Sequence, residues 1–213
     1  MLATTEGIVL HAVKYGESSL ITTIYTRAFG RQSYIINAAR SKKSKNKAGI
    51  LQSLFLVDLV SYQKQSREVQ RIKEIKNEPA YQDIPFNVIK SSQVMFLAEI
   101  LYKTLREEEG SPEMFGFLKN ALLYFDLMDQ NLSNFHLFLL FRLTEYLGFL
   151  PDTRKQTFEG WFDLRKGQVV SNEPSHPFFA HKEATEYICA LAKLKLKDVA
   201  FWKVPASVRD YLL

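Results

Sequence analysis

A dense run of cations is the part of this sequence best suited to bind a charged partner. The stretch ARSKKSKNKAG (residues 38–48) contains five cations within eight positions: Arg40, Lys42, Lys43, Lys45 and Lys47. Lysine and arginine at this density pair with phosphate groups, so the run predicts a nucleic-acid contact. The alternative is a solvated loop that only keeps the protein soluble. Predicted β-strands flank the run, so we expect it to form a loop.

The distribution of charge separates these two interpretations. Residues 1–78 contain 13 Lys/Arg and 6 Asp/Glu, a net charge of +7, whereas residues 79–213 contain 15 and 17, a net charge of −2. No acidic residue lies between Glu17 and Asp58, and Arg27 and Arg31 fall in the same gap. This asymmetry indicates an anionic partner at one end of the molecule.

Aromatic residues are interleaved with these cations. Tyr25, Phe29 and Tyr34 offer rings on which bases could stack, although strand alternation should leave only roughly one of the three exposed. Cations that follow a backbone and rings that stack bases are typical of single-strand binding. The candidate nucleic-acid-binding residues are therefore Arg27, Arg31, Tyr34, Arg40, Lys42, Lys43, Lys45 and Lys47.

The N-terminal third has the pattern of a small β-barrel. Short segments rich in Val, Ile, Thr and Tyr predict strands at 7–15, 19–26, 31–39, 53–63 and 67–77. In the last segment Val69, Ile72 and Ile75 recur every three residues, which also suits a helix, but the hairpin-like spacing from the preceding strand favours β. Five short strands with close turns predict a closed or nearly closed barrel.

Helical periodicity dominates after a proline-containing linker at 79–87. Apolar stripes predict helices over 88–108, 113–129, 134–149 and 181–197, with an irregular region at 152–180 that includes a possible hairpin at 162–170. The fold class is therefore α+β, with a barrel domain at 1–78 and a helical domain at 79–213. The most apolar helix carries Arg142 and Glu145, so a core helix is favoured over a membrane span.

Catalytic and metal-binding patterns are weak. Cys189 is the single cysteine, which excludes a disulfide framework and a multi-cysteine zinc site and suits a reducing compartment. His176 and His181 are compatible with a shared metal, but no cysteine supports them. The sequence has no P-loop, dinucleotide-binding or nucleophile-elbow motif. We expect no catalytic residue, no metal and no cofactor.

The order of these segments resembles the RecO family of bacterial DNA repair and recombination mediators, over nearly the whole chain. The likeness is carried by YGESS (15–19), the turn that ends at Gly30–Arg31, ARSKKS (39–44), LQSLFLVDL (51–59), LTEYLGFLPD (143–152) and FDLRKGQ (162–168). The N-terminal set is fairly specific in combination, whereas each piece alone is weak.

The resemblance implies an OB-fold barrel followed by a helical domain. It also implies binding to single- and double-stranded DNA, annealing of complementary strands, and no covalent catalysis. The implied partners are RecR, the C-terminal tail of the single-strand DNA-binding protein and, functionally, RecA, in the cytoplasm at the nucleoid. The DNA-contacting role falls on Arg31, Arg40, Lys42 and Lys43, whereas Lys45 and Lys47 rest on charge alone.

Two departures from the family bear on these expectations. Many members have a four-cysteine zinc motif that would match 152–180, where this sequence has no cysteine. We therefore expect no zinc there and a loop held by packing of Trp161, Phe162, Phe178 and Phe179. The family also continues with a short helical segment beyond the position of Leu213. The competing hypotheses are an RNA-binding barrel protein of translation or ribosome assembly, and an enzyme that uses residues 152–181.

Overall fold

The computed structural model describes residues 1–37, 47–106, 109–153 and 160–213. These residues form two compact units, which we name the barrel unit (Met1–Leu127) and the helical unit (Met128–Leu213). Helices in the described ranges are all too short or too polar to cross a membrane.

Five strands close into the barrel that the sequence predicts. They are β1 (Leu2–Tyr15), β2 (Ser19–Thr26), β3 (Gly30–Ile36), β4 (Leu56–Tyr62) and β5 (Val69–Asn77), and a one-turn helix, α1 (Lys47–Ile50), precedes β4. The strand order is β1-β2-β3-β5-β4, closed between β4 and β1. The pairs are antiparallel except for the parallel pair β3–β5. The predicted α+β class and the five-stranded OB-type barrel are confirmed.

Two β-bulges determine which side chains reach the barrel core. In β1, Val9 pairs with Ile24 and His11 pairs with Thr23, so Leu10 is the extra residue and the consecutive residues 8–10 are all buried. In β5, Glu74 pairs with Val60 and Ile72 pairs with Ser61, so Lys73 is the extra residue. An extra residue reverses the inward–outward alternation. Ile72 and Ile75 can therefore both be buried although they are three positions apart.

Two helices complete the barrel unit. They are α2 (Val88–Thr104) and α3 (Pro112–Leu127). The side chain of Asn87 caps α2, because its Oδ1 accepts hydrogen bonds from the N–H groups of Ile89 (3.1 Å) and Lys90 (3.3 Å). Val94, Leu97 and Leu101 form the buried face of α2.

A buried ionic network fixes the chain where it leaves the barrel. The carboxylate of Asp126 accepts hydrogen bonds from the backbone N–H groups of Gln82, Asp83 and Ile84 at 2.7–2.9 Å. Lys90, only 1% exposed, donates to the Asp126 carbonyl oxygen (2.6 Å) and pairs with the Asp83 carboxylate (2.7 Å). Each buried charge therefore has partners, as a stable buried ion pair requires. The network joins the linker at 79–87 to α2 through Lys90 and to α3 through Asp126.

The helical unit surrounds the largely buried helix α4 (Phe135–Tyr146). Its other elements are the short strands β6 (Trp161–Asp163), β7 (Gln168–Val170) and β8 (Phe179–Ala180), the helices α5 (Lys182–Lys193) and α6 (Ala206–Leu212), and 3₁₀ turns at Leu132–Asn134 and Leu196–Phe201. Strands β6 and β7 pair antiparallel, which confirms the hairpin.

The packing expected around this hairpin is confirmed for three of its four aromatic residues. Trp161 and Phe179 meet edge to face, with ring centroids 5.1 Å apart, and Phe162 is buried. Phe178 differs, because it is 52% exposed and lies beneath the guanidinium of Arg165, whose Cζ is 4.6 Å from the ring centroid. Phe178 directly precedes β8 and is not one of its paired residues.

Candidate nucleic-acid interface

The cation run itself is largely outside the described residues. This applies to Arg40, Lys42, Lys43 and Lys45, while Lys47 is the first residue of α1. The described chain nevertheless shows where the run begins. Strand β3 ends at Ile36, and Ile36 and Asn37 line a cavity of about 260 Å³ together with residues 71–73 of β5. The described chain before the run therefore ends beside β5.

Arg31 connects β3 to the C-terminal end of α2. Its Nη1 donates to the carbonyl oxygens of Tyr102 and Leu105, both at 2.8 Å, and its Cζ lies 4.5 Å from the centroid of the Tyr102 ring. The last carbonyls of a helix lack partners within the helix and attract cations. Arg31 therefore has a role in holding α2 against the barrel, in addition to its predicted role in DNA binding.

Arg27 takes part in an ion-pair cluster on the barrel unit. Its Nη1 lies 2.9 Å from Oε2 of Glu6, and Lys119 pairs with the other oxygen of the same carboxylate. The hydrogen bond from Lys119, together with the charge of Arg27, lowers the pKa of Glu6 below its ordinary value. The Arg27 side chain stays 57% exposed. Part of its charge is compensated, so it is a weaker phosphate ligand than an isolated arginine.

Tyr34 does not offer its ring to a base in this structure. Alternation along β3 turns it into the barrel, where it is 0% exposed, and its hydroxyl donates to Oε1 of Gln32 at 2.7 Å. Burial raises the pKa of Tyr34 to about 12. The stacking role expected for Tyr34 is therefore inconsistent with its position. Tyr25 is also buried, so Phe29 is the partly exposed ring of the three.

A polar groove of about 1210 Å³ lies on one side of the barrel. Among its described lining residues are four cations and one acid, Glu68; the cations are Arg31, Lys64, Arg67 and Arg106. Phe29 also lines it, together with the amide side chains of Gln32, Gln63, Gln65 and Gln70. We name this feature the barrel groove. Its excess of positive charge, its hydrogen-bonding amides and its aromatic ring suit a nucleic-acid strand.

Gln70 shapes the loop that carries two of these cations. This loop joins β4 to β5 and contains Lys64 and Arg67. Gln70 is only 5% exposed, its Oε1 accepts from the Lys64 N–H (2.9 Å), and its Nε2 donates to the carbonyl oxygens of Lys64 (3.0 Å) and Arg67 (2.7 Å). One buried amide thus satisfies three backbone groups of the loop. Loops of this kind commonly bind oligonucleotides in OB-folds.

A second exposed ring and two further cations lie near the start of the run. Tyr62, 44% exposed, lines the cavity beside Asn37 together with Arg71 and Lys73. Arg71 pairs directly with Tyr62 across β5 and β4, and Lys73 is the bulge residue of β5. Residues 64–76 contain five cations against two acids, a signal in the sequence that could have added Lys64, Arg67, Arg71 and Lys73 to the predicted binding residues.

The histidines that were considered for a metal have other contacts. His176 accepts a hydrogen bond from the Phe178 N–H at Nδ1 (3.3 Å), and its Nε2 lies 3.4 Å from Oδ1 of Asp163. Burial raises the pKa of Asp163, but N–H donors and nearby positive charge outweigh it, so the net direction is downward. His181 stacks on Tyr211 at 4.8 Å. Over the described ranges, no three His, Cys, Asp or Glu side chains are grouped as metal ligands.

Comparison with known proteins identifies the family. The model of the family described as "Recombination protein O N terminal" matches residues 1–78, and the one described as "Recombination protein O C terminal" matches residues 86–166. A relative named DNA repair protein RecO from Phocaeicola vulgatus is 36% identical over 213 residues, covering all of this chain and 88% of the relative.

Two further relatives with the same name extend this result. The protein from Flavobacterium psychrophilum is 38% identical over 198 residues, covering 92% of this chain and 79% of the relative. The protein from Porphyromonas gingivalis is 30% identical over 223 residues, covering all of this chain and 90% of the relative. The barrel, the helical region and these matches agree along the chain, which therefore belongs to the RecO family.

Proposed function

We propose that this protein is a DNA repair and recombination mediator. In this proposal it binds single- and double-stranded DNA, anneals complementary strands, and helps to load RecA onto DNA coated with the single-strand DNA-binding protein. Family membership supports the repair role, because the relatives are named DNA repair proteins. The observation that carries the DNA-binding part is the barrel groove, where cations and an aromatic ring lie on an OB-type barrel.

The groove suggests how a strand would be held. Lys64 and Arg67 project from the loop that Gln70 organises, and both are exposed, so they are available to phosphates. Phe29 in the groove and Tyr62 near the start of the run are the rings for base stacking. Residues Arg40, Lys42, Lys43, Lys45 and Lys47 would add phosphate contacts. Binding of this kind is electrostatic and tolerates many sequences, as annealing requires.

The remaining parts of the proposal concern organisation and partners. Residues 1–78 would act as the DNA-binding domain, and residues 79–213 as the helical domain. RecR and the C-terminal tail of the single-strand DNA-binding protein would be direct partners, and the loading of RecA would be promoted. The protein would act in the cytoplasm at the nucleoid. The protein would catalyse no covalent step, because annealing needs only that two strands be held and released.

An annealing assay tests this function. Complementary strands are coated with the single-strand DNA-binding protein, either intact or without its C-terminal tail, and duplex formation is followed by fluorescence. We expect the protein to speed annealing only when the single-strand DNA-binding protein on the strands keeps its C-terminal tail. Equal annealing rates with intact and tailless single-strand DNA-binding protein would show that the tail is not a partner. A competition between DNA and RNA strands of one sequence separates the RNA-binding alternative, since a preference for RNA implies recognition of the 2′-hydroxyl.

A further inference from the structure

A second cationic surface lies in the helical unit, at residues 193–203. Its members are Lys193, Lys195, Lys197 and Lys203, all of which are exposed, and the stretch contains one acid, Asp198. We name it the lysine strap. It starts at the last residue of α5 and continues through the 3₁₀ turn Leu196–Phe201. Neither family model extends to these residues, since the second one ends at residue 166.

Side chains from the region of α4 anchor the backbone of the strap. Arg142 donates through Nη2 to the carbonyl oxygens of Ala192 (3.2 Å) and Leu194 (2.7 Å), where α5 ends. Asn131 donates to the carbonyl oxygen of Ala200 at 2.6 Å. Asn134 donates to the carbonyl oxygen of Trp202 at 2.8 Å. The strap is thus held at both ends by hydrogen bonds to its backbone acceptors.

Burial below the strap determines what it presents to solvent. Val199 and Ala200 face the core of the helical unit, with exposures of 0% and 8%. Phe201, the next residue, is 72% exposed. Trp202 is partly exposed and lies 6.4 Å from the Tyr187 ring, centroid to centroid. An exposed phenylalanine among lysines, on an anchored backbone, combines a stacking ring with phosphate ligands.

We infer that the lysine strap binds a second segment of single-stranded nucleic acid, with its lysines on phosphates and Phe201 against a base. This inference rests on the proposed function, because annealing brings two strands to one protein. Four exposed lysines against one acid, with an exposed phenylalanine between Lys197 and Lys203, suit a chain of phosphates and bases better than the single anchor of a peptide. Acidic peptide motifs are commonly recognised by arginine clusters, whereas the four cations of the strap are all lysines.

The experiment uses the full-length protein and short oligothymidylate strands, which cannot pair with each other. Native mass spectrometry counts the strands bound per chain for the unaltered protein, for K195Q/K203Q, and for the control K166Q/K182Q. The control removes the same charge from the exposed residues Lys166 and Lys182, which lie outside the strap. We expect two strands per chain for the unaltered protein and the control, and one for K195Q/K203Q.

A second variant separates charge from stacking. F201A keeps every lysine, so it should weaken binding of the second strand about fivefold without changing its salt dependence. K195Q/K203Q should reduce the slope of log affinity against log salt for that strand by about 1.4. Both variants should anneal bare complementary strands at least tenfold more slowly, and affinity for the first strand should change by less than twofold.

The possible results separate this inference from the proposed function. If K195Q/K203Q binds two strands like the control, the strap is not a nucleic-acid site, although the proposed function stands. If the unaltered protein binds no strand, the proposed function itself fails. If K195Q/K203Q keeps both strands but loses affinity for an acidic peptide, the strap is a peptide surface and the inference is wrong.

Discussion

Gln70 holds the backbone of Lys64 from both sides, because its Oε1 accepts from the Lys64 N–H at 2.9 Å and its Nε2 donates to the Lys64 carbonyl oxygen at 3.0 Å. This paired contact sets the shape of the loop on one wall of the barrel groove. A buried glutamine thus shapes the backbone that carries Lys64 and Arg67, the side chains that we propose contact DNA.

Replacing Gln70 tests this positioning role. Q70L fills a similar volume but leaves the N–H and carbonyl groups of the loop without their partner, so the loop should change shape. We expect affinity for single-stranded DNA to fall about fivefold to tenfold, with the salt slope lowered by about 0.7–1.4 as one or two contacts are lost. The control Q82L makes the same replacement at an exposed glutamine that does not line the barrel groove. Equal affinities for the two variants would contradict the role of Gln70.

The cation run is tested by charge reversal. If its five cations contact phosphates, log affinity for single-stranded DNA should fall with log salt at a slope of about −3.5 from the run alone. K42E/K43E/K45E should flatten this slope and weaken binding to all sequences. The control K103E/K166E/K182E makes the same change in net charge elsewhere. If the first variant binds like the control, the run acts only as a solubility loop.

Arg31 has two roles that a lysine can separate. R31K keeps the positive charge, but it lacks the planar guanidinium that stacks on Tyr102 while it donates to both carbonyl oxygens. We expect urea unfolding to show a loss of about 1.5–3 kcal/mol, since hydrogen bonds to charged groups contribute about that much. The salt slope for DNA should be retained. A variant as stable as the unaltered protein would show that the Arg31 contacts with α2 are unimportant.

His136 should make the protein less stable in acid. Burial, helped by the charge of Arg209, lowers the pKa of His136 to about 4 from the ordinary value of 6.5. Between these values the unfolded chain binds a proton that the folded protein excludes, so stability falls as pH drops from about 6.5 towards 4. Substitution H136Q should flatten the pH dependence of urea unfolding in this window. H181Q is the control, and an unchanged pH profile for H136Q would contradict the assignment.

The barrel was predictable from sequence because its strands follow local rules. Val, Ile, Thr and Tyr enrichment and short turns located all five, and Ser19–Thr26 agrees to the residue. Pairing between strands that are distant in sequence was harder to predict. Residues 2–6 extend β1 because they pair with 58–62 of β4, which no local pattern indicates. The bulge at Lys73 likewise produced a three-residue spacing that resembles a helix, although the segment is a strand.

The candidate site was predictable in charge but not in geometry. Counting cations located the basic third of the chain, which also contains the lining of the barrel groove except for Arg106. It did not show that Tyr34 points inward, because the side of a strand that faces the core depends on its pairing register. Arg31 and Gln70 bond to backbone groups supplied by other parts of the fold. Such contacts have no sequence pattern of their own.

The most direct test of the central claim measures the affinity of the barrel groove for DNA. Fluorescence anisotropy with a short single-stranded oligonucleotide compares the unaltered protein with K64Q/R67Q and with K166Q/K182Q, which removes the same charge from the helical unit. We expect at least tenfold weaker binding for K64Q/R67Q, a salt slope lower by about 1.4, and near-normal binding for the control. Equal affinity and equal slope for the two variants would contradict the claim that this groove is the DNA interface.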